Sequence, residues 1–175
     1  MPNPKVMRIR LRPLEKEDLK LVHSWKNDQK MMSYWFEEPF ESFMELEELY
    51  TKHIHDLTER RFIIETLIKE PAGLIELIEI DYIHRRAEFE IVIDTKFQGK
   101  GFATETVQLI QDYAFKILNL HKLYLHVDKE NAKAIHIYKK VGFQKEADLK
   151  EEFYTDGQYR DVVRMCIFKR QQILS

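Results

Sequence analysis

The chain has 175 residues, 44% of them hydrophobic, which suits one domain with its own apolar core. A single cysteine, Cys166, excludes an intramolecular disulfide framework and fits a reducing cytoplasm. A net charge of −2 gives no global attraction to nucleic acid, and no apolar run approaches membrane length. The first element in chain order is a strand predicted from Val6 to Leu14 by its alternation, behind a start too polar for a signal peptide. Glu15 to Asp18 then opens an amphipathic helix through about Asn27, with Leu19, Val22 and Trp25 on one side. Pro39 sits where a second helix can begin, and Phe43, Leu46, Tyr50, Ile54 and Leu57 follow at helical spacing.

Arg61 to Leu67 reads as a short strand, and Pro71-Ala72-Gly73 as a turn. Two further strands are expected from Gly73 to Ile83 and from Ala87 to Asp94. Gly101 to Leu118 gives the longest helix, with Ala103, Val107, Ile110, Ala114 and Phe115 facing inward. A strand from His121 to Val127 comes next, and Asn131 can cap a helix from Ala132 to Val141. The last two strands meet at Asp156-Gly157, and the second carries Cys166 as a small buried hydrophobe. No linker, repeat or low-complexity tract divides residues 1–175, so one α/β domain of order βααβββαβαββ is expected.

The most chemically specific segment runs from Ile91 to Thr104, where a β-rich apolar run meets a polar loop, two glycines and a helix. Glycines allow close backbone approach to a ligand, and the first helix amides have no internal partners. Together with the helix dipole they suit an anion such as a pyrophosphate. A P-loop pattern is absent, and the dinucleotide fingerprint fails at Thr104, where a third glycine or alanine belongs. A plain strand-to-helix turn remains the alternative from the loop residues alone.

Gln98-Gly99-Lys100-Gly101-Phe102-Ala103 resembles the Gln/Arg-x-x-Gly-x-Gly/Ala motif of the GCN5-related N-acetyltransferase (GNAT) superfamily, and the element order is similar throughout. Tyr34 to Pro39, Lys52 to Asp56, Glu59 to Phe62, Ile83 to Phe89, Leu118 to Lys122 and Glu151 to Phe153 resemble the bacterial spermidine N-acetyltransferases. The resemblance implies an acyl-CoA N-acyltransferase fold, a mixed, mostly antiparallel sheet flanked by helices. It implies acetyl-CoA as co-substrate, with pantetheine along Ile91, Val92 and Ile93 and pyrophosphate over Gln98 to Ala103. Asn131 and Lys133 fall on further cofactor-contacting positions. Asn131 also serves as a helix cap.

By the same resemblance Tyr138 is the proton donor to the leaving thiolate, although Ala134, Tyr138 and Val141 also share a helical face that a core tyrosine would occupy. Glu88 is the candidate acceptor of a proton from the incoming ammonium, with an exposed strand carboxylate as the alternative. Between Glu37 and Glu59 lie eight carboxylates opposed only by Lys52, a charge pattern that fits a solvated helix face or an elongated polycation. The resemblance implies a second, regulatory polyamine site here, at a subunit interface, involving Met32, Trp35, Glu37, Glu38, Glu45, His53, Asp56, Glu59 and Glu79. No obligatory metal is expected, though Glu37 and Glu79 could take a hard divalent cation. A cytoplasmic homo-oligomer, a dodecamer by resemblance, completes the expectation. An acetyltransferase for protein N-termini and a non-catalytic polyamine sensor are the competing readings.

Overall fold

The computed structural model describes residues 7–34, 36 and 40–172. Seven strands form one sheet, β1 (Ile9–Pro13), β2 (Arg60–Thr66), β3 (Pro71–Asp81), β4 (Arg86–Ile93), β5 (Lys122–Asp128), β6 (Gln144–Thr155) and β7 (Gln158–Phe168). Five α-helices accompany them: α1 (Leu19–Lys26), α2 (Phe43–His53), α3 (Phe102–Asp112), α4 (Ala132–Lys140) and α5 (Lys169–Gln172). Strand order across the sheet is β1-β2-β3-β4-β5-β7-β6. Every neighbouring pair is antiparallel except β4 and β5, which α3 joins by a crossover. The expected order βααβββαβαββ is therefore observed, with only the short α5 added.

Period-two alternation assigns the two faces. One carries Ile75, Leu77, Ala87, Phe89, Leu123 and Leu125, all buried against Val107, Ile110, Ala114 and Phe115 of the long helical segment. The other carries Ile63, Leu74 and Val92, packed against Leu19, Val22, Trp25 and Leu46 from α1 and α2. Cys166 is buried in β7 as expected.

Four sequence expectations need correction. Pro71-Ala72-Gly73 is not a turn but the start of β3, where Pro71 pairs with Glu65 and Gly73 with Ile64. Ile54 and Leu57 are 60% and 66% exposed, because α2 stops at His53 and the helical period does not reach them. The helix N-terminus is set by Ser42, whose side chain accepts from the Glu45 amide while Glu45 accepts from the Ser42 amide, a reciprocal capping box. Pro39, the expected start, lies outside the described residues. The helix expected from Gly101 to Leu118 is α-helical only to Asp112 and continues as a π-turn from Tyr113 to Ile117.

Candidate active site

The feature that opens the sheet is a short parallel register. β4 and β5 pair only at Arg86↔Lys122, Ala87↔Leu123 and Glu88↔Tyr124. β4 nevertheless runs on to Ile93 beside β3, and β5 runs on to Asp128 beside β7. From Phe89 onward the facing edges of β4 and β5 diverge, leaving backbone groups without a strand partner. A cleft of about 430 Å³ fills the gap, lined by Phe89 to Ile93, His126, Val127, Asn131, Lys133 and Tyr138. A backbone edge inside a cleft suits a linear ligand carrying amides, as in recognition by strand addition.

The cleft leads to the glycine loop. Asp94 anchors the loop by accepting from the Trp25 indole (2.9 Å) and from the Lys96 amide (2.9 Å). Phe97 and Phe102 stack beneath it with centroids 5.7 Å apart. Gly99 (φ 76°) and Gly101 (φ 84°) take left-handed conformations that a side chain would strain. Gly101 is also the N-cap of α3 and offers no side chain to the first-turn amides, which stay available to a ligand. A second hollow, about 370 Å³, lies over them and is lined by Gln98, Gly99, Gly101 to Thr104, Lys133 and His136.

Of the expected loop residues, Lys100 lines neither cleft. Its carbonyl accepts from Arg8 Nη2 (2.7 Å) and its ammonium lies 5.1 Å from the Phe97 ring centroid. Asn131 is the expected helix cap, its Oδ1 accepting from the Ala134 amide (3.1 Å), and it also lines the cleft.

Tyr138 projects from α4 into the same cleft, edge-on to Phe89 at 5.8 Å between centroids. Burial raises its hydroxyl above the usual phenol range, with no charged neighbour contributing. The group is therefore a neutral O–H donor at working pH.

Glu88 is not the exposed strand carboxylate that the alternative reading required. It is 8% exposed, and its Oε1 lies 2.7 Å from Nδ1 of His126. His126 sits two residues beyond the last paired position of β5, diagonal to Glu88 across the parting strands. Sequence reasoning missed it. The available signal was period two, because Tyr124 and His126 alternate with Leu123, Leu125 and Val127.

Residues of the acidic stretch separate into groups. His53, Asp56 and Glu59 each offer a ligand atom within 4.8 Å of the others. Glu59 Oε2 is 3.2 Å from His53 Nδ1 and accepts from Arg61 Nη2 at 2.9 Å. The Thr58 hydroxyl and amide both bond Asp56 Oδ1 and hold that carboxyl below its usual range. Such a cluster can accept from an ammonium or hold a small cation.

Glu45 belongs to the α2 capping box, and Met32 packs against the α1 cluster. Glu79 lies at a bulge of β3 with φ 50° and accepts from the Tyr124 hydroxyl (2.7 Å), which places it beside the strand opening. Trp35, Glu37 and Glu38, and with them a Glu37–Glu79 cation site, lie outside the described residues.

Residues 8–144 match the family model for an acetyltransferase (GNAT) domain. The chain is 56% identical over 170 residues to spermidine N(1)-acetyltransferase of Escherichia coli, covering 97% of this chain and 91% of that one. It is 55% identical over 165 residues to the Vibrio cholerae enzyme of the same name, covering 94% and 95%. A crystal structure of spermidine N-acetyltransferase from Vibrio cholerae in complex with CoA and spermine matches with a TM-score of 0.93 and 55% identity, covering 95% of this chain and 98% of that one. The parted β4–β5 edge, the uncapped glycine loop and these similarities agree, and the chain belongs to the GNAT acetyltransferase family.

Proposed function

We propose that this chain transfers the acetyl group of acetyl-CoA to a primary amine of a polyamine such as spermidine or spermine. The observation that carries the reading is the parted β4–β5 edge running into the glycine loop, in a chain 55–56% identical to spermidine acetyltransferases over nearly its whole length. Pantetheine would bond the free edge at Ile91 to Ile93, with pyrophosphate over the Gln98–Ala103 amides beside Lys133. The amine then attacks the thioester directly in a ternary complex, and Tyr138 donates to the departing thiolate. Glu88 and its partner His126 lie on the side from which the acceptor amine loses its proton.

The cluster of His53, Asp56 and Glu59 supports a second, regulatory polyamine site together with Glu37 and Glu38. Spaced carboxylates complement spaced ammonium groups. The exposed apolar side chains of Phe40 and Met44, which line a hollow with Glu41, Glu45 and Glu48, support assembly into a homo-oligomer. Among the described residues no helix is long and apolar enough to cross a membrane, which is compatible with work in the cytoplasm. Mass spectrometry of spermidine incubated with the chain and acetyl-CoA tests the reading. A mono-acetylated polyamine is expected, and unchanged spermidine in the presence of an acetylated N-terminal peptide favours the alternative acceptor.

A further inference from the structure

The proton released by the acceptor amine has a more specific destination than a carboxylate in general. Glu88 Oε1 is engaged by His126 Nδ1 at 2.7 Å, and Glu88 does not line the cleft, whereas His126 does. A carboxylate only accepts, so the proton of this bond sits on Nδ1 and leaves Nε2 as the lone-pair nitrogen. Nε2 is the ring nitrogen that Glu88 does not engage. The imidazole is held edge-on between the Tyr124 ring (5.9 Å) and the Phe153 ring (6.2 Å).

Charges around it come from every neighbouring strand. The carboxylates around it are Glu88 and Glu90 of β4 and Glu79 of β3, the last bonded to Tyr124. Opposing them is Arg164 of β7, the register partner of His126, but its guanidinium lies 4.1 Å over the Tyr124 ring and Nε is 3.4 Å from Glu146. Lys30 and Tyr138 line the cleft further along. An imidazole changes charge in the physiological range, while an ordinary carboxylate is a far weaker acceptor for an ammonium proton.

We propose that His126 is the proton acceptor for the incoming ammonium, and that Glu88 is the positioning residue that fixes its tautomer and stabilises the imidazolium. The assignment rests on the acetyl-transfer reading above. The ammonium N–H bond breaks, its proton moves to His126 Nε2, and the freed lone pair forms the N–C bond to the thioester carbonyl. The C–S bond then breaks, the thiolate takes the Tyr138 proton, and the tyrosinate is restored by the second proton leaving the new amide nitrogen. Only the His126 proton remains to pass to solvent, which balances one acetylamide, one thiol and one proton.

The test is the pH dependence of kcat with saturating spermidine and acetyl-CoA in wild type, His126→Gln and Glu88→Gln. Wild type should lose activity toward low pH through one imidazole-like ionisation. His126→Gln should lower kcat about a hundredfold or more and abolish that limb. Glu88→Gln should move the limb to lower pH, because the imidazolium loses its carboxylate. A His126→Gln profile that keeps the wild-type limb, or falls by one factor at every pH, overturns the proposal. Should His126→Gln fail to fold, an unmoved limb in folded Glu88→Gln overturns it equally. A wild-type chain that acetylates a peptide but not spermidine instead overturns the polyamine reading, and the proposal with it.

Discussion

Arg8 and Glu105 are 97 residues apart in sequence and joined by three hydrogen bonds, from the Arg8 amide (2.9 Å), Nε (2.8 Å) and Nη2 (2.6 Å). Glu105 is 1% exposed in the first turn of α3, where a negative charge is favoured by the helix dipole. The same Arg8 holds the Lys100 carbonyl, so one side chain ties the glycine loop to the helix behind it. Arg8→Met removes the guanidinium bonds to Glu105 but keeps the backbone one, and with Arg8 half exposed it should cost about 1–2 kcal/mol in urea-melt stability. Acetyl-CoA affinity should fall as well, because the loop loses its tether. Unchanged stability would mean that Glu105 is satisfied without Arg8.

Gly101→Ala should disturb the same loop from the other side. A methyl group there meets Arg8 Nη2 at 3.1 Å and must adopt a φ of 84°. The expected result is a loss of about 1–2 kcal/mol in stability together with weaker acetyl-CoA binding by calorimetry.

Tyr138→Phe removes one oxygen and keeps the ring against Phe89 and Phe143. Turnover should drop about a hundredfold or more while acetyl-CoA affinity is little changed. Wild-type turnover in this variant would remove Tyr138 from the mechanism.

Acid stability depends on Arg12, which bonds Asp18 through both terminal nitrogens and Glu65 through Nε. Burial pushes Asp18 up, but the Arg12 hydrogen bonds, the Glu15 amide and the Arg12 charge together hold it below its usual range. Glu65 is held low chiefly by Arg12, against burial and with help from Arg10. Depressed carboxylates contribute stability above their unfolded pKa values, and that contribution is lost as pH falls through the folded values. Wild type should therefore weaken below about pH 4. Arg12→Met should be less stable at neutral pH and show a shallower loss between neutral pH and pH 3, measured by urea melts.

Much of this architecture was legible in the residues. Alternation placed the strands, Asn131 announced its helix, and the glycine pair announced a strand-to-helix turn with uncapped first amides. Contacts set by long-range register were not legible. Nothing local in Glu88 reveals a histidine 38 residues on, because their meeting depends on the parallel register ending at Tyr124. Ser42-x-x-Glu45 does carry the local signature of a capping box, whereas nothing local reveals that Glu79 turns toward Tyr124 at a bulge. Ile54 and Leu57 kept helical spacing past the end of α2, where no backbone remained to carry them inward.

The most direct measurement is thiol release from acetyl-CoA by the wild-type chain, with kcat/KM compared for spermidine, spermine, an aminoglycoside and an N-terminal peptide. Turnover with the polyamines well above the other two acceptors is the predicted result. A peptide or aminoglycoside preferred over both polyamines would contradict the account.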